Sequence, residues 1–217
     1  RAAPDAAPLG LTLLAQTREG YGNLSEFITL GRTRAPKGEY RLAPQDIADP
    51  PSGYAHLRNL PECLAILTPA YGTDADRMAD QARWLARVFP GRAWVGLTLL
   101  HQSRDDLHRA AVEHAAQASQ LPIVAVGQVQ MHVRSRKPLH DTLTGIRTRQ
   151  QVSQCGYALS GNAEQHLRSR MRLASLYPPD ALAQTLAVAR RCTFSLDELH
   201  YEYPDEIVPS GHTPASY

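Results

Sequence analysis

The stretch Leu121–Asp141, LPIVAVGQVQMHVRSRKPLHD, sets the fold class of this chain. It opens with Ile123-Val124-Ala125-Val126, a continuous apolar run of the kind that a strand buried on both faces of a parallel sheet requires. Gly127 ends the run. Gln128, Gln130 and His132 follow at alternate positions, so a strand continuing through them would carry all three on one face. The C-terminal ends of strands are where α/β folds gather their chemistry. A basic run comes next, Arg134, Arg136 and Lys137, and Pro138 then sits where a helix can begin, since a missing N–H costs nothing in the first turn. The order is strand, polar rim, cationic loop, helix.

Upstream, the same alternation repeats. Leu11–Ala15 is a short strand, followed by a turn at Arg18-Glu19-Gly20. Asn23 and Glu26 have capping-box spacing ahead of a helix with Leu24, Phe27, Ile28 and Leu30, which Pro36 closes. Residues 36–61 form a long surface connection with one helical turn near Ile47. Cys63–Leu67 is a buried strand, and Thr73 and Asp76 start a helix carrying Met78, Ala82, Leu85 and Val88. Ala93–Leu100 is the next strand, ending at His101. Ser103 and Asp106 then cap a helix that leads back to Ile123. Alternating strands and helices predict a parallel sheet with right-handed crossovers. After Arg149 the pattern is helical. Asn162 with Gln165 caps a helix holding His166, Leu167, Met171 and Leu173, Tyr177-Pro178-Pro179 interrupts, and Asp180–Cys192 is amphipathic. The chain thus divides into an α/β part, residues 1–149, and a helical part, residues 150–217, whose Pro- and Tyr-bearing tail is expected to be extended.

Composition bounds the class. The 217 residues are 43% hydrophobic and 20% charged, as in ordinary globular domains. A net charge of +2 does not by itself argue for a nucleic-acid partner; local clusters must carry that case. Cys63, Cys155 and Cys192 are far apart, which argues against a zinc ribbon or a disulfide framework and for a reducing cytoplasm. No run approaches the roughly 18 apolar residues of a membrane span. Residues 1–8 are Ala/Pro-rich without a following apolar core, unlike a signal peptide, and there is no initiator methionine, as expected of a fragment or a processed product. Phosphate-loop, dinucleotide-binding and nucleophile-elbow motifs are absent.

Four segments carry a resemblance. Residues 127–139, GQVQMHVRSRKPL, resemble the Gly-Asp-Val-His-Met-His-Val-Arg-Ser-Arg-Lys-Pro-Leu segment of bacterial error-prone DNA polymerases of the C family, relatives of the DNA polymerase III alpha subunit. That segment belongs to their PHP (polymerase and histidinol phosphatase) domain. Residues 13–24, LLAQTREGYGNL, match a second stretch of the same domain. YALSGNAEQHLRSR and FSLDELHYEYPDEIVPSGHTPASY resemble the region linking it to the polymerase palm. The resemblance implies a partial PHP-type distorted (β/α) barrel with parallel strands, followed by an all-helical segment leading to an absent palm. It implies a parent DNA-directed DNA polymerase, a nucleotidyltransferase that extends DNA across damage. Its partners would be the palm and thumb, DNA, accessory mutagenesis proteins and the sliding clamp, in the cytoplasm and away from membranes. Active PHP domains hold divalent metal (Mg, Mn or Zn). This chain has Gln128 where the family has Asp and Gln130 where it has His, both metal ligands.

The expected role is therefore a scaffold with a decayed metal site, no bound metal and no catalytic residue. Gln is a poor ligand beside His or carboxylate. His132, His101 and Cys63 remain as residual ligands or as structural residues. Arg134, Arg136, Lys137, Arg147 and Arg149 form a basic set that contacts phosphate, anchors another domain, or is simply solvated. Arg168, Arg170 and Arg172, two apart, splay around a helix in this scheme and form no groove. Two other functions stay open: a stand-alone PHP-class metal-dependent phosphoesterase, and a small nucleic-acid-binding module.

Overall fold

A computed structural model describes residues 9–200 and Gly211. Four strands, β1 (Leu11–Ala15), β2 (Cys63–Leu67), β3 (Ala93–Leu97) and β4 (Ile123–Ala125), form one open sheet in the order β1-β2-β3-β4. β2, β3 and β4 run parallel, with Ala65 opposite Ala93 and Val95 opposite Ile123. β1 does not follow the expected direction. It pairs with β2 antiparallel, Ala15 opposite Cys63. The cause is the connection. Helix α1 (Arg18–Thr33) carries the chain away from the end of β1, and residues 34–62, with the short helix α2 (Pro44–Ala48), bring it back to that same end. Two traverses reverse the strand, whereas the single helices α3 (Ala75–Val88) and α4 (Asp105–Ser119) preserve its direction.

Both faces of the sheet are buried, which explains the unbroken apolar runs. On one face Cys63, Ala65, Leu67, Val95 and Leu97 meet Phe27 and Leu30 of α1, Met78, Ala82 and Leu85 of α3, and Val112 and Ala115 of α4. On the other, Leu64, Ile66, Trp94 and Val124 pack against Val188 of α7 (Pro179–Arg191). A helix from the later, helical part of the chain therefore forms the third layer. Trp94 fixes it further: its Nε1–H donates to Gln184 Oε1 at 2.8 Å, and the Arg191 guanidinium lies 5.5 Å over its ring. A side chain at Gly96 would not fit, because a Cβ there would sit 2.5 Å from Val126 Cγ2 and 2.8 Å from the Leu67 carbonyl oxygen.

Several local expectations shift. α1 begins at Arg18, with Thr17 as its cap, accepting from the Gly20 N–H at 3.3 Å. Gly20 is therefore helical, and a Cβ on it would strike the Glu62 carbonyl. Asn23 is not a cap: it is buried and donates from Nδ2 to the Pro61 carbonyl at 3.0 Å. Asp74 and not Thr73 caps α3, through the Arg77 N–H at 3.2 Å. β3 ends at Leu97 and β4 at Ala125. α5 (Lys137–Thr148) begins one residue before Pro138, which sits in its first turn as expected. No helix starts at Asn162; α6 (Arg170–Leu176) begins only after its cap Ser169. The extended tail expected beyond His200 lies outside the described residues, Gly211 apart.

Candidate functional site

The C-terminal ends of β3 and β4, where an α/β site is expected, are covered by residues 160–177. Chain past β3 presents three carbonyls, and each is taken. Tyr71 Oη donates to Thr98 O at 2.9 Å, Arg168 Nη2 to Leu99 O at 2.9 Å, and Asn162 Nδ2 to Leu100 O at 2.6 Å. Past β4, the buried Tyr177 donates its hydroxyl to Val126 O at 2.9 Å and accepts from the Leu99 N–H at 3.2 Å. Gln165 Nε2 donates to Gln128 O at 3.2 Å. The Gln165 carbonyl accepts from the N–H of Gln130 at 2.9 Å and of Met131 at 3.1 Å, and Met131 pairs with His166 in a short parallel bridge.

This arrangement separates the residues expected to share a pocket. Gln128 has φ +44, a left-handed backbone that ends the strand's alternation. Gln130 and His132 are exposed, with buried Met131 between them. His101 is also left-handed, at φ +52, and exposed, and its Nε2 accepts from Arg172 Nη2 at 2.9 Å. Cys63 stands at the opposite end of the sheet, at the start of β2, so it cannot share a face with His101. Its thiol donates to Gly20 O at 3.4 Å inside the core, and burial pushes its pKa up to about 11 despite the nearby Arg92 charge. Among the described residues, no three His, Cys, Asp or Glu side chains gather as a metal site. The donor set does not fit a cluster of divalent ions.

The basic set is also divided. Arg134 donates to Glu164 Oε1 at 2.6 Å, and Lys137 to Asp141 Oδ2 at 2.7 Å. Arg136, Arg147 and Arg149 are exposed, but they sit at opposite ends of α5, whose rise of ~1.5 Å per residue separates them by about 16 Å. A different grouping forms instead. Arg134, Arg168 and Arg172 line one shallow cleft of about 530 Å³ with Val133, His166, Leu167 and Ser169. Arg168 precedes α6 and is not on a helix, so it does not splay away from Arg172. Ser169, a good cap residue directly before the helical run, was the signal that would have placed the start.

No family profile matches the chain. Over its whole length the chain is 73% identical to an error-prone DNA polymerase of Bordetella parapertussis, of which it covers 21%. Identity is 53% over 214 residues to the error-prone DNA polymerase of Burkholderia mallei, with 20% of that protein covered, and 44% over 207 residues to the one from Methylococcus capsulatus, with 19% covered. The chain is homologous to a segment of the error-prone DNA polymerases. It spans about one fifth of the length of these relatives. Among the described residues, no helix is long and apolar enough to cross a membrane. Its concentrated chemistry is cationic. His108 is buried beneath Tyr71, ring centroids 4.3 Å apart, and burial lowers its pKa.

Proposed function

We propose that this chain is part of the PHP domain of an error-prone, translesion DNA polymerase, together with the helical segment that follows it, and that it serves as a scaffold for palm and thumb. The observation that carries this is the 73% identity over the entire chain to an error-prone DNA polymerase. Two structural features support a scaffold. The carbonyls past the strand ends that would form a catalytic rim are taken by the chain's own Tyr71, Asn162, Arg168 and Tyr177. Helix α5 carries an exposed apolar stripe, Leu139, Leu143 and Ile146 at 52, 56 and 68% exposure, on the i, i+4, i+7 spacing of one face. The remainder of the polymerase is its occupant in this proposal, and further strands of the longer chain complete the barrel at the sheet edges.

On this proposal the segment holds no divalent ion of its own and works in the cytoplasm. DNA, the sliding clamp and accessory mutagenesis proteins are partners of the whole polymerase. The test is co-expression of the 217-residue chain with the rest of the polymerase as a second polypeptide. The two polypeptides should co-purify and extend a primer, while the chain alone neither extends a primer nor degrades a DNA 3′ end. Failure to associate would refute the scaffold. Chelator-sensitive phosphoester hydrolysis by the chain alone, with added manganese, would favour the phosphoesterase instead.

A further inference from the structure

The cleft between residues 133–134 and 166–172 has features that the scaffold role does not require. Arg168 is almost fully enclosed, its side chain 2% exposed. Its Nη2 is committed to the carbonyls of Leu99 and Glu164, both at 2.9 Å, yet Nε and Nη1 have no hydrogen-bond partner among the described residues. Leaving two guanidinium N–H groups unpaired in a buried position is costly. Arg172, exposed on the first turn of α6, donates to His101 and faces no carboxylate in the described residues. Arg134 shares Glu164 with Arg168, at 2.6 and 3.9 Å. Glu164 is thus the single described carboxylate among three guanidinium groups, and two positive charges are left unmatched. No residue described as lining the cleft is acidic. His166 has Nδ1 committed to the Ala163 carbonyl at 2.9 Å, so Nε2 is the ring nitrogen left for a ligand.

We infer that this cleft binds a phosphomonoester dianion. The two unmatched positive charges suit a dianion, and guanidinium groups present paired N–H donors that match phosphate oxygens. Arg172 and Arg134 grip at the rim, and the unpaired edge of Arg168 forms the back. The cleft volume of about 530 Å³ accommodates more than the phosphate alone, so the phosphate belongs to a free ion or nucleotide, or to the phosphorylated end of a DNA strand. This inference does not depend on the scaffold role.

The test uses the full 217-residue chain. Inorganic phosphate is titrated against chloride at matched ionic strength, with binding followed by the melting temperature and by amide chemical shifts. Saturable binding is expected. Arg172→Ala and Arg134→Ala should each weaken it by about tenfold, as loss of a charge-assisted pair predicts, and Arg87→Ala, near the other end of the sheet, should not. Arg168→Ala removes the Leu99 and Glu164 contacts and can unfold the chain, so the two exposed rim arginines decide the matter. A 5′-phosphorylated oligonucleotide and its 5′-hydroxyl form separate the sources. Tighter binding of the phosphorylated form, displaced by phosphate, identifies a DNA end; equal oligonucleotide binding with saturable phosphate identifies a small phosphate compound. The inference is overturned if phosphate acts no differently from chloride, or if both rim variants bind it as the wild type does.

Discussion

The Tyr177 hydroxyl donates to the Val126 carbonyl across 2.9 Å, tying the junction of α6 and α7 to the chain just beyond β4. The same oxygen receives the Leu99 N–H. Tyr177→Phe keeps the ring and leaves one buried carbonyl and one buried amide unpaired. The expected loss is about 1–3 kcal/mol in urea denaturation. A midpoint equal to that of the wild type would mean that other groups satisfy both atoms.

Cys63 and Cys192 should differ in reactivity. Both thiols are pushed up by burial, but Cys63 lies wholly in the core and Cys192 only partly. Iodoacetamide at pH 8 should label Cys192 first and Cys63 only in denaturant, as read by mass spectrometry. The Cys63 shift, from 9.0 to about 11, also sets a pH dependence. The unfolded thiol ionises first, so stability is full below pH 9.0 and falls as pH rises toward about 11. Cys63→Ala should flatten that alkaline slope while lowering stability at neutral pH.

His108 gives the opposite dependence. Burial lowers its pKa below 6.5, with Asp105 opposing. The unfolded imidazole therefore takes up its proton at a pH where the folded one stays neutral. Stability is present above pH 6.5 and is lost as pH falls below it. His108→Phe, which preserves a ring against Tyr71, should reduce the difference in melting temperature between pH 5 and pH 7.5. An unchanged difference would place the acid sensitivity elsewhere.

Gly96→Ala should destabilise by about 1–3 kcal/mol, because the new methyl meets the Leu67 carbonyl and Val126 at once and the sheet backbone must give way. Gly53→Ala, where a Cβ meets nothing within 4 Å, serves as the neutral comparison in the same melting experiment.

Strand positions were readable because burial on two faces leaves an unbroken apolar run, as in Cys63–Leu67 and Ala93–Leu97. The direction of β1 was not, since it depends on how many times residues 18–62 cross the molecule, and periodicity carries no record of that. At the candidate site, the alternation of Gln128, Gln130 and His132 is real in sequence but meaningless once Gln128 turns left-handed. Arg168 falls within the apolar-periodic run but outside the helix, which starts only at Arg170. Tyr177 looked like a mere break before two prolines, and its long-range bonds, to residues 51 and 78 positions away, leave no local trace.

The two flanks of β1 carry a consequence for how the molecule is made. Beyond the strand, the Gln16 N–H reaches the Glu62 carbonyl at 2.9 Å, while the Gln16 carbonyl receives the N–H groups of Thr193 at 2.9 Å and Phe194 at 3.1 Å. Phe194 then stacks on Tyr21 with ring centroids 5.0 Å apart. Thr193 lies 177 positions from Gln16. During translation β1 leaves the ribosome well before its partners, so the hydrogen bonds at Gln16 are complete only after residue 194 has emerged. Until then the Gln16 carbonyl lacks these two partners, and pairing across such separations is slow. The end of β1 thus waits for residues 193–194 before its hydrogen bonds are complete.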